Sequence, residues 1–247
     1  MTATRLVFLG TGASGGTPGS GRSRRRESSL LVRSTGANVL LDATRDLPLQ
    51  VDGVDHLDAL LLTHAHRDAS GGIPALRAWL HERDEGPLPV LASRRSIAVL
   101  HERYNRLDHC EFVPIDSEQT ARVGAWSATP VVVPHARDDR FQTYAWRLSE
   151  AGGAFVYASD VSELAPQLRS LTRGARLLII DGAMYGRSIF SHLRIDTALP
   201  ELCCWPVDRI LTTQIGRSAP PHEELERETA RLCPRARPAY DGMEVRL

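Results

Sequence analysis

Two histidines and an aspartate follow directly on a short apolar segment, and this pattern constrains the fold more than any other feature. The segment Ala59–Leu62 is apolar throughout and predicts a buried strand. His64, His66 and Asp68 come next at alternate positions, ahead of two consecutive glycines. At a strand end, imidazoles at positions i and i+2 can face one point, and the glycines allow a tight turn into a helix. The pattern therefore predicts a metal site for Zn, Fe or Mn.

The remaining apolar segments predict two blocks of strands, each followed by alternating strands and helices. The expected strands are Arg5–Gly10, Ser29–Arg33, Val39–Asp42, Ala59–Thr63, Pro89–Ala92, Gln119–Ala125, Ala128–Val133, Thr143–Ser149, Ala154–Ala158, Leu177–Ile180 and Ile210–Thr213. The expected helices are Ile73–Glu82, Ser96–Tyr104, Leu164–Leu171, Ile195–Leu202 and His222–Leu232. No linker divides the chain, so we expect one α/β domain over residues 1–247, with two mixed sheets between helices.

Composition excludes several classes of protein. A chain that is 42% hydrophobic and 24% charged is expected to fold, and its 30 basic and 30 acidic residues cancel. This balance disfavours binding to nucleic acid or a membrane surface. Apolar runs reach only about six residues and no signal-peptide core precedes the first glycine, so we expect a cytoplasmic protein. Lysine is absent from the sequence, and arginine supplies every basic side chain apart from histidine.

The motifs together resemble the metallo-β-lactamase fold superfamily, in particular its phosphodiesterase branch. That branch includes tRNase Z, the cyclic phosphodiesterase of phosphonate breakdown and the protein B family of pyrroloquinoline quinone synthesis. The segments that carry the resemblance are Phe8–Gly12, Gly16–Pro18, Leu40–Thr44, His64–Asp68, Asp181–Gly182, Ser191–Leu193 and Ala239–Gly242. The resemblance extends over nearly the whole chain and implies an αββα sandwich with its active site at one edge.

Carried over position by position, the resemblance implies one complete metal site and part of a second. His64, His66 and His135 match the three-histidine first site. Asp160 matches the carboxylate that bridges the two ions, and Asp68 matches the aspartate of the second site. Three neutral imidazoles leave a fourth tetrahedral position for water.

Two further roles and two departures follow from the same resemblance. Asp42 matches the aspartate that supports the metal-binding loop, and His192 matches the general acid of the phosphodiesterase branch. The second histidine of the family motif is replaced by Ala69, and the last histidine is replaced by Gln214. Both losses fall on the second site, so we expect one ion per chain, with zinc as the first choice and Fe or Mn as alternatives.

The expected function is that of a metal-dependent hydrolase, in which metal-bound hydroxide attacks a phosphodiester or small ester-like substrate. Asp68 would act as a base or orient the water. Gln214, Arg217 and Arg67 are candidates to bind the substrate, because amides and guanidinium groups suit its oxygens. The arginine-rich segment 22–26 fits a solvated surface loop as well as a substrate clamp.

Two other functions remain open. One is an iron-dependent oxidative enzyme of the quinone-cofactor type, and the other is a non-catalytic protein that binds a metal or ligand. The expected partner is a small-molecule substrate, and a homodimer is compatible with the resemblance. Metal analysis of protein purified without added metal separates these alternatives.

Overall fold

The computed structural model describes residues 4–136 and 140–247, which contain two seven-stranded sheets. The strands are β1 (Arg5–Gly10), β2 (Ser29–Arg33), β3 (Asn38–Leu41), β4 (Ala59–Leu61), β5 (Leu88–Ala92), β6 (Cys110–Pro114), β7 (Ala121–Val123), β8 (Trp126–Val133), β9 (Thr143–Glu150), β10 (Gly153–Ala158), β11 (Leu177–Asp181), β12 (Arg209–Thr213), β13 (Ala236–Pro238) and β14 (Glu244–Arg246). The helices are α1 (Leu47–Gln50), α2 (Arg67–Ser70), α3 (Ile73–Glu82), α4 (Arg94–Arg103), α5 (Pro166–Leu171), α6 (Ile195–Leu202) and α7 (His222–Leu232).

Both sheets are mixed, with an antiparallel half and a parallel half. The first has the strand order β14-β1-β2-β3-β4-β5-β6 and becomes parallel from β3 onward. The second has the order β13-β12-β11-β10-β9-β8-β7, and its strands from β10 to β13 are parallel. Two mixed sheets flanked by helices are the αββα sandwich that the sequence predicts, so the expected fold class is confirmed.

Apolar side chains fill three layers of the structure. Between the sheets, large buried residues such as Trp126, Trp146 and Phe155 form the central core. Leu76 of α3 packs in a second cluster on the outer face of the first sheet, and Leu199 of α6 packs in a third on the outer face of the second. Burial of these apolar surfaces is the dominant stabilising contribution to the sandwich.

Most of the expected elements are confirmed, and the differences lie at element ends, at sheet edges and in two short helices. The strand expected at Gln119–Ala125 is shorter, and the helix expected from Leu164 begins at Pro166. Helix α4 begins earlier than expected because Ser93 caps it by accepting the Ser96 backbone N–H. Three short strands of mixed polarity, β6, β13 and β14, were not predicted; all three lie at sheet edges and pair with one neighbour each. The four-residue helices α1 and α2 were not predicted either.

The candidate site residues follow strand ends at one edge of the sandwich. The carboxyl ends of parallel strands meet at the same edge of a sheet, and ligands commonly bind there. The residues placed in this way, in chain order, are Asp42 after β3, His64 and His66 after β4, His135 after β8, Asp160 after β10, Asp181 at the end of β11 and Gln214 after β12. The two sheets together therefore bring these side chains to one place.

The longest helix, α7, has eleven residues. A span across a membrane takes about 20. Within the described ranges, therefore, no helix is long and apolar enough to cross a membrane.

Candidate metal centre

Three histidine nitrogens converge at this edge of the sandwich. His66 Nδ1 lies 2.9 Å from His64 Nε2 and 3.2 Å from His135 Nε2. The three rings stand nearly perpendicular to one another, with interplanar angles of 74–82°. Nitrogens bound tetrahedrally to zinc at 2.0–2.1 Å lie about 3.4 Å apart. The observed spacing is therefore close to that of three ligands around one ion.

Outer hydrogen bonds determine which ring nitrogens of two histidines can bind a metal. His135 Nδ1 lies 2.7 Å from the Ser191 carbonyl oxygen, which can only accept, so Nδ1 carries the proton. His64 Nδ1 lies 2.9 Å from the Thr63 hydroxyl, and that hydroxyl donates to Asp42. His64 Nδ1 is therefore a donor as well. Both Nε2 atoms then direct a lone pair at the centre, and this donor set fits a divalent ion.

Asp42 supports the loop that carries the first two histidines. It is buried, its φ is +64°, and its carboxylate accepts the Thr63 backbone N–H at 2.8 Å and the Thr63 hydroxyl at 2.9 Å. Burial raises the pKa of Asp42 well above its ordinary value, although the hydrogen bonds from Thr63 oppose the shift. Burial also holds the pKa of His64 well below its ordinary value, so the ring is neutral, as a metal ligand must be.

Opposite the histidines, the amide of Gln214 connects two carboxylates. Gln214 Nε2 donates to Asp160 Oδ1 at 2.9 Å and to Asp68 Oδ2 at 3.1 Å. The Gln214 backbone has a φ of +56°, and its N–H donates to Ser28 Oγ. Burial, with Asp160 nearby, raises the pKa of Asp68 to about 6. Burial also acts to raise the pKa of Asp160, but the facing histidines lower it to about 2.

The second metal position that the resemblance implies has fewer potential ligands than the first. Ala69 is buried in α2 and offers only a methyl group where the family motif has a histidine. The described residues contain two groups of three potential ligands, namely His64, His66 and His135, and His135, Asp160 and His192. Asp68 belongs to neither group.

His192 lies next to the three histidines and is held by a buried aspartate. Its Nδ1 lies 2.6 Å from Asp181 Oδ2, and its ring centroid lies 4.8 Å from that of His135. Asp181 also accepts the backbone N–H groups of Val161 and Ala183. Burial acts to lower the pKa of His192, but the charges of Asp181 and two other aspartates raise it to about 9.

The sequence analysis assigned no function to two residues of this neighbourhood. Asp181 ends a strand that is otherwise apolar and buried, and this isolated carboxylate was the available signal for the partner of His192. Phe141 is buried with its ring centroid 4.7 Å from that of His66. No sequence pattern marked Phe141, which shields one side of the histidine cluster from water.

The arginine candidates occupy different environments. Arg67 is exposed on α2, and its guanidinium forms no hydrogen bond among the described residues. Arg217 is also exposed, and its Nε donates to the Gly16 carbonyl oxygen at 3.3 Å. Arg25 is buried, unlike its neighbours Arg24 and Arg26. The arginine-rich segment is therefore not a uniform surface loop.

Comparison with known sequences gives a family and several relatives. The sequence model for the beta-lactamase superfamily domain matches residues 37–213. An octanoyltransferase of Porphyromonas gingivalis is 26% identical, over 98% of this chain and 51% of that protein. Ribonuclease Z of Bradyrhizobium sp. is 31% identical, over 55% of this chain and 48% of that protein. The chain thus spans about half the length of the curated relatives it matches.

Solved structures with a similar fold include members of the branch that the sequence motifs resemble. A diphosphatase of the PhnP family has a TM-score of 0.87 at 23% identity, covering 99% of this chain and 98% of that one. Zn(2+)-bound PqqB from Methylobacterium extorquens has a TM-score of 0.83 at 20% identity, covering 98% and 100%. The short form of human tRNase Z has a TM-score of 0.72 at 17% identity, covering 98% of each chain. With the family model matching more than half of its residues, the chain belongs to the beta-lactamase superfamily.

Proposed function

We propose that this protein is a metal-dependent hydrolase that acts on phosphodiesters of small molecules. The observation that carries the proposal is the convergence of His64, His66 and His135, with lone pairs oriented by outer hydrogen bonds, next to His192 held by Asp181. A set of ligands alone would fit a storage or structural site. A positioned histidine next to the ligands adds a group that can transfer a proton.

Zinc is the ion we propose for the three histidines, because three neutral imidazoles suit it and leave a fourth position open. When bound, such an ion lowers the pKa of a coordinated water to about 7 and stabilises charge on a phosphoryl oxygen. Asp160 lies at the edge of this donor set, with Oδ1 3.8 Å from His135 Nε2. We propose that Asp160 completes the set as a ligand or hydrogen-bond acceptor, and that Asp68 orients the water.

His192 is proposed as the general acid. Asp181 accepts a hydrogen bond from His192 Nδ1–H at 2.6 Å and so fixes the ring. The Nε2 atom of His192 is therefore the one that can give a proton to the leaving oxygen. The side chain of His192 is 16% exposed, whereas that of Asp181 is fully buried. A substrate can therefore reach the histidine while the aspartate stays inaccessible to water.

The proposed role of His192 is tested with substrates that differ in their leaving group. His192→Ala is expected to slow hydrolysis of an alkyl phosphodiester by about 10²–10⁴-fold, the usual contribution of general acid catalysis. Hydrolysis of a nitrophenyl phosphodiester should slow much less, because nitrophenolate departs without a proton. Metal content should stay unchanged. Equal losses on both substrates would assign His192 a structural role.

One observation favours a second candidate, an iron-dependent oxidative enzyme. His135, Asp160 and His192 form a group of two imidazoles and one carboxylate, the composition that holds Fe(II) in many oxygenases. In that case His192 is a ligand, and His192→Ala removes the metal instead of leaving it in place. Metal analysis of the wild type and this variant, purified without added metal, therefore separates the two candidates. Stable binding of zinc without any turnover would favour the non-catalytic alternative.

A further inference from the structure

An open groove of about 390 Å³ carries four arginines on its walls, of which only Arg25 is buried. It is lined by the glycine-rich loop that follows β1, the segment that precedes β2, part of α1, and Arg217 beyond β12. Arg24, Arg26 and Arg217 line this groove, which we call the arginine groove. The hydrolytic mechanism proposed above uses none of these three side chains.

A buried arginine anchors one wall of the arginine groove. Arg25 is only 5% exposed, and its guanidinium donates to the Ala239 carbonyl oxygen at 2.7 Å and to the Thr11 hydroxyl at 3.1 Å. It also lies 3.1 Å from His222 Nδ1. Burial lowers the pKa of Arg25 to about 10, which still leaves it charged at neutral pH. These contacts fix the segment to the C-terminal part of the chain.

The anchoring of Arg25 determines where its two neighbours point. The backbone of Arg25 pairs with that of Thr17 through hydrogen bonds in both directions, so the chain is extended here. Successive side chains of an extended chain point to opposite faces. Because Arg25 points inward, Arg24 and Arg26 are directed outward, and both line the groove.

Arg217 is held on the glycine-rich loop across the groove. Its Nε donates to Gly16, and a Cβ added at Gly15 would lie 3.7 Å from Arg217 Nη2. Gly15 has a φ of +78°, a conformation that favours glycine. With Nε engaged, the terminal nitrogens of Arg217 remain as donors for a ligand.

Two carboxylates, those of Asp46 and Asp241, lie close to the arginine groove and offset part of the charge of its arginines. Asp46 lines the groove, but one of its oxygens accepts the Glu27 backbone N–H at 2.8 Å. Asp241 accepts the Arg26 backbone N–H and the Thr11 hydroxyl. Within residues 4–136 and 140–247, the guanidinium groups of Arg24, Arg26 and Arg217 form no ion pair.

The arginine groove is adjacent to the candidate metal centre. Arg217 follows Gln214 by three residues, and an extended chain covers at most about 3.6 Å per residue, or about 11 Å here. Between them, Ile215 pairs with the loop after β1 through hydrogen bonds to Thr11 and Ala13. Arg217 therefore lies no further than about 11 Å from Gln214, measured between Cα atoms.

We propose that the arginine groove binds a second phosphate group of the substrate, either a monophosphate or the end of a diphosphate. The planar guanidinium fork suits phosphate oxygens, and the guanidinium groups of Arg24, Arg26 and Arg217 outnumber the one carboxylate, Asp46, that lines the groove. This inference rests on the proposed hydrolysis of phosphodiesters. It adds that the substrate carries a further phosphate, which the arginine groove binds beside the candidate metal centre.

Binding of inorganic diphosphate to metal-free protein tests the groove independently of catalysis. Isothermal titration in the presence of EDTA is expected to show one binding site in the wild type. The double variant Arg24→Gln with Arg26→Gln should bind at least about tenfold more weakly, because each lost charge-assisted hydrogen bond costs about that much. The control, Arg169→Gln with Arg173→Gln on the far side of the second sheet, removes the same charge from exposed positions and should bind as the wild type does.

A kinetic experiment then distinguishes a substrate phosphate from free phosphate. The double variant should lower kcat/KM for a phosphodiester that carries a second phosphate by about tenfold relative to one without it, mainly through KM. An unchanged ratio would show that the groove binds only a free anion, and the inference about the substrate would be wrong. Equal binding of diphosphate by the wild type and the double variant, or no binding by either, would show that the arginine groove does not bind phosphate groups. If the groove binds diphosphate but no phosphodiester is cleaved, the proposed function fails and the anion site stands.

Discussion

The two halves of the candidate metal centre lie at the same edge of the sandwich but differ in chemistry. The histidine half consists of His64, His66 and His135, and His66 Nδ1 lies 2.9 Å from His64 Nε2 and 3.2 Å from His135 Nε2. The amide half consists of Asp68 and Gln214, with Asp160 between the two halves. The histidine half directs nitrogen lone pairs at a common point. In the amide half, the neutral amide of Gln214 already donates hydrogen bonds to both carboxylates.

We infer from this difference that the site holds one ion and that the Gln214 amide takes the place of a second. Two carboxylates close together need a cation or hydrogen-bond donors, and the Gln214 amide supplies two N–H donors in a fixed plane. The amide therefore provides contacts that a second ion would otherwise make. The histidine half has no such internal substitute, because two of its three nitrogens are oriented as acceptors by their outer partners.

The largest effect is expected from removing a ligand of the histidine half. His66→Ala takes away the nitrogen that lies between the other two, so zinc affinity should fall by more than about 10²-fold. Even the loss of a residue that only hydrogen-bonds to a ligand typically lowers metal affinity by about 10–100-fold. Titration with zinc against a competing chelator measures the change. His101→Ala, an exposed histidine of α4, is the control and should leave the affinity unaltered.

The next largest effect is the gain of an ion in the amide half. The double variant Ala69→His with Gln214→His places two imidazoles beside Asp68 and Asp160, a competent set for a second divalent ion. We expect metal analysis to rise from about one to about two ions per chain, with higher activity on a nitrophenyl phosphodiester. Each single change should add little. A folded double variant that holds one ion would show that these positions do not face a common site.

A smaller effect is expected from the outer partners of the histidine half. Thr63→Val removes the hydroxyl that connects His64 to Asp42, so zinc affinity should fall by about 10–100-fold. The free energy of unfolding should fall by about 1–3 kcal/mol, because Asp42 loses a hydrogen bond in a buried environment. Chemical denaturation measures the second quantity. Thr120→Val, at an exposed threonine between β6 and β7, should change neither quantity by a comparable amount.

The smallest effect on zinc binding by the three histidines is expected from Gln214→Ala. This variant deletes the amide that joins Asp68 and Asp160 but leaves the three histidines intact. Zinc affinity should change by less than about tenfold, well below the loss in His66→Ala. A loss of zinc affinity as large as that of His66→Ala would mean that the histidine half and the amide half bind the ion together.

The fold and two members of the histidine half, His64 and His66, were predictable from local sequence patterns, whereas His135 came from the resemblance alone. His64 and His66 follow a buried strand at the spacing that a metal site requires, and the strands carry their own apolar signal. The predicted position of Gln214 near Asp68 came from the resemblance alone. Its simultaneous hydrogen bonds to Asp68 and Asp160 depend on the register of strands far apart in the chain, which no local pattern encodes.

Other features depended on tertiary contacts in a similar way. Arg25 cannot be distinguished from its neighbours Arg24 and Arg26 by composition, and its burial follows from contacts with residues almost 200 positions away or further. Strand β14 is three residues long with a charged residue at each end, so its apolar signal is weak. It forms only because β1 offers an open edge for pairing.

The number of metal ions bound per chain decides whether the amide half replaces a second ion. Protein purified without added metal, then saturated with zinc and passed over a desalting column, should retain one zinc ion per chain by elemental analysis. His66→Ala treated identically should retain close to none. Retention of two tightly bound ions by the wild type would contradict the account, because the Gln214 amide could not then hold Asp68 and Asp160 as the structure shows.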